Sequence, residues 1–428
     1  MPAEALLRPL LALSDEGVAA AAAKSPWPGE SHAAIRASGS YSAFAEAAAA
    51  ESPELGRLMA GATLHVAHEL GGYCVTNPDG AWVTARLLDD GARLAGAQGQ
   101  TGSEPVYRGL GRALDGVLNA LASGRCPTTS YLGLRGMSLD DADDADVGIG
   151  VLRRLDPGEV RSFESVVDDV RAPRGDELCL VLESEATWSV MDAAPKLSGF
   201  GHPGTLSRLE LFPALMLLAG TRNRRGRLRT PQVVWSRKSP YFFMGGDLSG
   251  GDNPNLQWRT SDFFDGVVTL AVSEEARRLL PSLAQVPAPA LRVAVHRLVS
   301  AGSVYDKSPE DRLVDAAVAW EALFGSQERD QLSLQLALSV AWLLAPDDHA
   351  ERERLFRRAK KIYGLRSKLV HGGRTKAQEV EKAADELTEW LRQAVIALVT
   401  THSPMLPIAD RVSRLLLQDP SNLAQGSI

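Results

Sequence analysis

Cysteine is scarce in this chain of 428 residues, which has only Cys74, Cys126 and Cys179. They are odd in number and widely separated, with neither the paired spacing of a zinc site nor that of a disulfide framework. The expectation is a reducing, cytoplasmic setting with no metal and no cofactor. Nowhere do about eighteen apolar residues follow one another, the length a membrane helix needs. Even the run at 211–220 is short and is followed at once by arginines. Near the start, Leu6, Leu7, Leu10, Leu11 and Leu13 lie between Glu4 and Asp15 with no basic stretch ahead of them, so neither a signal peptide nor a membrane partner is expected. Positive charge is in deficit as well: 46 Lys and Arg face 53 Asp and Glu, for a net −7. That balance excludes a surface uniformly coated in base, so any nucleic-acid site must be local. Phosphate-loop and serine-hydrolase signatures are missing too.

Three look-alike motifs fail on context. The glycines at 199–204 fit a dinucleotide-binding expression, but Pro203 interrupts them and no strand leads in, which predicts a loop. His65 and His68 stand one helical turn apart without a third ligand, which predicts a structural helix. The aspartates at 140–146 lack calcium-loop spacing and its closing glutamate, which predicts a solvated acidic loop.

What is present is a chain with 45% hydrophobic and 23% charged residues, long enough for two or three domains with real cores. Residues 1–137 are rich in alanine and read as mostly helical, with helices at 41–50, 53–70 and 107–123. A hairpin is expected at 72–86, where Tyr73, Val75, Trp82 and Val83 flank Asn77-Pro78-Asp79-Gly80. Residues 138–280 read as mixed α/β, with β-rich runs at 147–152, 178–182, 233–235 and 267–272 and a helix at 205–218. Pro281, Pro287 and Pro289 then mark a boundary. Beyond it, 285–405 reads as a bundle of amphipathic helices at 290–301, 309–324, 330–344, 350–370 and 376–400, with a tail at 406–428. The fold class expected is α+β overall: a mixed α/β amino-terminal region followed by an all-α bundle.

Within the bundle, Lys361-Ile-Tyr363-Gly-Leu-Arg366-Ser367-Lys368-Leu-Val-His371-Gly-Gly373 sets an arginine and a histidine five residues apart before two helix-breaking glycines. Chance supplies on the order of one such spacing in a chain this rich in arginine, so the setting must carry the argument. An upstream block, Ser308-Pro-Glu-Asp-Arg-Leu-Val-Asp315 and then Val318-Ala-Trp-Glu321-Ala-Leu-Phe324, supplies it. In order and spacing the two blocks, covering about 85 residues of the chain, resemble the Apea-like branch of the HEPN family. One departure is Ser367, where many HEPN ribonucleases carry Asn, Asp or His.

The resemblance implies a HEPN-type helical bundle, a homodimer, and RNA as the partner. It implies metal-independent endoribonuclease activity, with a role in anti-phage defence or as a toxin, at a composite site to which each protomer brings Arg366 and His371. The chemistry suits the residues: an imidazole, with an ordinary pKa of about 6.5, exchanges protons near neutral pH. A guanidinium stays charged and offers a planar fork of donors to phosphate oxygens. In the family, acids on the preceding helix hold the arginine, which gives Glu321, and after it Asp315, a supporting role. Tyr363, on the same face as Arg366, either stacks a base or packs in the core.

Lys361, Lys368, Arg374 and Arg358 are the expected RNA-binding residues, part of a basic concentration that also includes Arg352, Arg354, Arg357, Lys360 and Lys376. A second cluster, Arg222, Arg224, Arg225, Arg227 and Arg229, reads either as an RNA guide or as a solvated turn. Two bland alternatives stand beside the nuclease: Arg366 in an ordinary ion pair with His371 capping a helix, and a non-catalytic HEPN module that binds RNA or nucleotide or only dimerises. Residues 1–280 contain no motif that names their role; an activating ligand is expected to bind there.

Overall fold

The structure is a computed structural model, and it describes residues 3–15, 28–68, 73–76, 80–97, 103–135, 137–140, 142–164, 178–191, 208–223, 226–239, 266–284, 288–302, 307–325 and 332–401. The tail at 406–428, the glycines at 199–204, and Arg224 and Arg225 lie outside these residues. The chain is α+β overall and forms two compact units, and they are not consecutive stretches. One takes residues 1–134, 150–201 and 233–260; the other takes 135–149, 202–232 and 261–428. The stretch 138–280 expected as one region is therefore shared between them.

The first unit contains helices α1 (Ala3–Asp15), α2 (Pro28–Ala37), α3 (Gly39–Glu51) and α4 (Pro53–Met59), strands β1 (Thr63–His68) and β2 (Tyr73–Thr76), and helices α5 (Gly80–Ala97) and α6 (Ser103–Ser123). Strand β3 (Arg125–Arg135) follows, and in the second unit come the short strands β4 (Met137–Leu139) and β5 (Asp144–Asp146). Strand β6 (Val151–Arg154), helix α7 (Pro157–Glu164) and strand β7 (Leu178–Met191) return to the first unit. Its organiser is β7. One edge pairs antiparallel with β1 along one half and with β6 along the other, and the opposite edge pairs with β3 from Arg125↔Thr187 to Leu134↔Leu178. The helices lay Leu6, Leu10, Phe44, Leu55, Leu87 and Leu114 over this sheet against Leu64, Val66 and Trp188. Removing such side chains from water is what stabilises the unit, at roughly 1.5–3 kcal/mol for each large one.

Three expectations fail here. The helix predicted at 53–70 ends at Met59, and His65 and His68 sit on β1 rather than on a helix. The hairpin joins β1 to β2, with His65 opposite Val75; Trp82 and Val83 belong to α5 instead. Beside its six helices, the amino-terminal stretch also contains the long β3, and the acidic run at 140–146 includes β5.

Strand β8 (Gln232–Ser239) lies next to β3 in the sheet of the first unit, and the second unit contains helix α8 (Arg208–Leu218), β9 (Gly266–Val268) and helix α9 (Leu270–Ala284). The bundle proper comes next: α10 (Ala288–Gly302), α11 (Pro309–Phe324), α12 (Leu332–Leu344), α13 (His349–Val370) and α14 (Ala377–Thr401). These five match the predicted helices closely. Pro281, read as a breaker, lies inside α9, and the β-rich run at 267–272 turns helical at Leu270. Helix α8, with Leu211, Phe212, Leu215 and Leu217 all buried, packs on α9, α10 and α14 and belongs to the bundle's own core.

Start and stop signals explain the two central helices. Ser308 caps α11 by accepting from Asp311 N at 3.1 Å, Pro309 stands where no amide partner is needed, and Glu310 and Asp311 complement the dipole. Asp348 caps α13 in the same way. At its other end Gly373 N donates to Lys368 O at 2.7 Å and Gly372 N to Leu369 O at 3.1 Å, with Gly372 at φ +73°. This is a Schellman ending, which requires the left-handed conformation at Gly372. We expect Gly372→Ala to cost about 1–2 kcal/mol from that strain, seen as faster amide exchange in the last turn of α13. Unchanged exchange there would disprove it.

Candidate functional site

Arg366 sits on the inward half of α13. Its guanidinium pairs with Glu321 of α11 at 3.3 Å and lies 5.6 Å from the centre of the Tyr363 ring. The Tyr363 hydroxyl donates to the same Glu321 Oε1 at 2.9 Å, and its ring meets the fully buried Trp320 edge-on at 6.1 Å. Burial, then the hydrogen bond to Glu321, raises the Tyr363 pKa, so the phenol stays a donor. Glu321 thus holds Arg366 as expected, and Tyr363 packs against Trp320. The Arg366 side chain remains 23% exposed, yet its Nε is buried with no hydrogen-bond partner among the described residues. A buried donor without an acceptor costs roughly 1–3 kcal/mol, and such misfits concentrate where structure answers to something besides stability.

His371 is the carboxy-terminal cap of α13 and is exposed; its N–H donates to Ser367 O at 3.2 Å. Five residues at 100° each put it about 140° around the helix from Arg366. Within one chain the structure therefore separates the two: Arg366 turns toward α11 and His371 toward solvent. Lys368 and Arg374 are exposed near the same helix end, and Ser367 is half-buried.

Asp315 is not part of this arrangement. Buried on α11, it accepts from Arg297 Nη1 at 2.8 Å and Ser300 Oγ at 3.0 Å, both on α10, and pairs with Lys307. Burial pushes its carboxyl pKa up, but the bonds from Lys307, Ser300 and Arg297 outweigh it and leave the group below the ordinary range. A depressed carboxyl contributes stability that is present above its unfolded pKa, about 3.9, and lost as pH falls through the folded value. We expect Asp315→Asn to lower the denaturant midpoint at pH 7, with the gap to wild type closing below about pH 4. A gap that persists at acid pH would show that packing, not charge, holds this corner.

The basic residues divide into paired and unpaired. Arg354 pairs with Glu351, Arg357 with Glu353 and Arg358 with Glu386, and Arg352 lies over the Trp342 ring at 3.9 Å. Among the described residues Lys361, Lys368 and Lys382 make no ion pair. Lys382 and Glu386, on α14, were not singled out by sequence, because only packing brings that helix beside α13.

The second arginine cluster is structural where it is described. Arg222 pairs with Glu389 at 2.7 Å, and Arg227 with Glu381 and, at 3.3 Å, Asp385, stapling the turn to α14. Arg229 is buried, its pKa brought down to about 10 by burial and then by repulsion from Arg312.

Among the described residues no helix is long and apolar enough to cross a membrane, and no three of His, Cys, Asp and Glu converge as a metal site would require. Compared with known proteins, the chain matches no family model, no curated protein and no solved structure.

Proposed function

We propose that the bundle is a HEPN-type, metal-independent endoribonuclease, with Arg366 and His371 of two copies of the chain forming one composite site. The observation that carries this reading is the seat of Arg366. A guanidinium pinned by Glu321 and backed by the Tyr363 ring, whose hydroxyl is tied to the same carboxylate, is oriented more firmly than an incidental ion pair requires. The exposure of His371 supports it further, since a buried imidazole could not meet a substrate.

In this mechanism one His371 takes the proton of the ribose 2′-hydroxyl, whose oxygen attacks phosphorus. The bond to the 5′ oxygen breaks, and the His371 of the second copy protonates that leaving oxygen. Arg366 neutralises the charge that grows on the non-bridging oxygens. The products are a 2′,3′-cyclic phosphate and a 5′-hydroxyl. Residues 1–280 would bind the activating ligand, and the resemblance to HEPN proteins suggests a defence or toxin role in the cytoplasm.

A second reading also has an observation behind it. The Schellman ending and the 140° separation account for His371 and both glycines without catalysis, as a non-catalytic module for RNA or nucleotide binding or dimerisation would require. Incubating the purified chain with RNA in EDTA separates the two. The nuclease reading expects cleavage to cyclic-phosphate ends, lost in Arg366→Ala and His371→Ala; equal cutting by wild type and both variants would sink it.

A further inference from the structure

Between α13 and α14 lies an open groove of about 630 Å³, lined by Arg354, Arg357, Arg358 and Lys361 on one side and Lys382 and Glu386 on the other. With Glu353, five cations face two carboxylates, a local excess of +3 in a chain of net −7. The lining includes a single apolar residue, Ala350, whereas pockets for small organic ligands are mostly apolar. This chemistry suits an extended anion.

The groove does not end at its own rim. Arg354, Lys361 and Lys368 recur every seven residues on α13, and seven residues at 100° leave successive side chains only about 20° apart around the helix. All three are exposed. They form a stripe with about 10 Å between neighbours along the axis, and Lys368 stands one turn before His371. Lys361 and Lys368 make no ion pair among the described residues, and neither does Lys382, so three ammonium groups along the path are uncommitted.

We infer that this groove and stripe form a track for the phosphodiester backbone of a single nucleic-acid strand, delivering it toward the His371 end of α13. The inference rests on the proposed RNA-directed function and adds to it the path of the strand outside the reacting centre. A backbone presents one charge per nucleotide at regular intervals, which a periodic stripe of cations can follow without reading bases.

The test is fluorescence anisotropy of the full chain in EDTA with a labelled single-stranded RNA of mixed sequence and a DNA strand of the same sequence. Replacing Lys361, Lys368 and Lys382 together by Ala removes three phosphate partners. Binding of both strands should weaken roughly tenfold at low salt, and the slope of log affinity against log salt should flatten by about 2. Lys→Arg at the same positions should retain wild-type binding, as should Arg125→Ala, which removes an exposed arginine of the other unit. An unchanged slope in the triple Ala variant, or no RNA binding by wild type, overturns the track. Weakening for RNA alone overturns the backbone claim, because it points to ribose recognition. A flattened slope without RNA cleavage by wild type leaves the track standing and removes only the nuclease.

Discussion

Arg312→Ala is expected to destabilise the helical unit by about 3 kcal/mol, the lower end of the cost of removing one partner from a buried ion pair. Arg312 is 3% exposed. From α11 it donates Nε to Ala301 O at 2.9 Å at the end of α10, and Nη2 to Asp385 Oδ1 at 2.6 Å on α14. One side chain thus ties three helices, and its loss leaves the Ala301 carbonyl without this donor and removes one of the two arginines that hold the half-buried Asp385. Two features oppose the loss. Asp385 keeps Arg227 at 3.3 Å, and the buried Arg229, destabilised by the Arg312 charge beside it, is relieved. The orphaned Ala301 carbonyl and the loss of the short bond to Asp385 outweigh that relief, since a desolvated acceptor without a partner is costly. Arg312→Lys keeps the charge but lacks the fork that reaches two acceptors, so it should fall between. Urea unfolding followed by helical circular dichroism gives the midpoint; a loss below about 1 kcal/mol would mean that packing, not this junction, holds the three helices.

The other large effect concerns chemistry. If the bundle is the ribonuclease proposed above, His371→Ala should slow RNA cleavage by roughly 10²–10⁴-fold, the usual contribution of a positioned acid or base, and Arg366→Ala by roughly 10²–10³-fold, as when one charge-stabilising donor is lost. Arg366→Lys is the sharper variant. An ammonium can still pair with Glu321, so the fold is preserved, but a point charge cannot grip two phosphate oxygens at once. Single-turnover rates should therefore stay near those of Arg366→Ala. Full activity in Arg366→Lys would count against the composite site.

The bundle helices were legible because their signals are local. Ser308 and Pro309 start α11, Asp348 starts α13, and Gly372 ends it, each through bonds to residues within five positions. Where those signals competed with tertiary pairing, sequence reading failed. The residues of β1 come after a good helix start at Ser52 and Pro53, yet they pair with β7 more than 100 residues later. Nothing within a short window announces that partner. Pro281 failed as a breaker for a related reason: buried Ala276, Leu279 and Leu283 hold α9 together across it.

The site divides along the same line. The place of Arg366 and His371 at the end of one helix, closed by Gly372 and Gly373, was readable from spacing. Asp315 stands six residues before Glu321, and only the packing of α10 turns it to Arg297, Ser300 and Lys307 rather than to Arg366. The turn arginines left an RNA guide open as one reading, and α14 supplies carboxylates for Arg222 and Arg227.

By itself, then, the sequence determined the α+β class, the five bundle helices with their ends, and the place of Arg366 and His371 on one helix, because helical periodicity and capping act over a few residues. Only the tertiary structure decided which strands pair, which acids hold which cations, and that α14 brings Lys382 beside Lys361 to make a groove. Those outcomes depend on contacts between residues far apart in the chain, whose free energy comes from burial and pairing that no local pattern encodes.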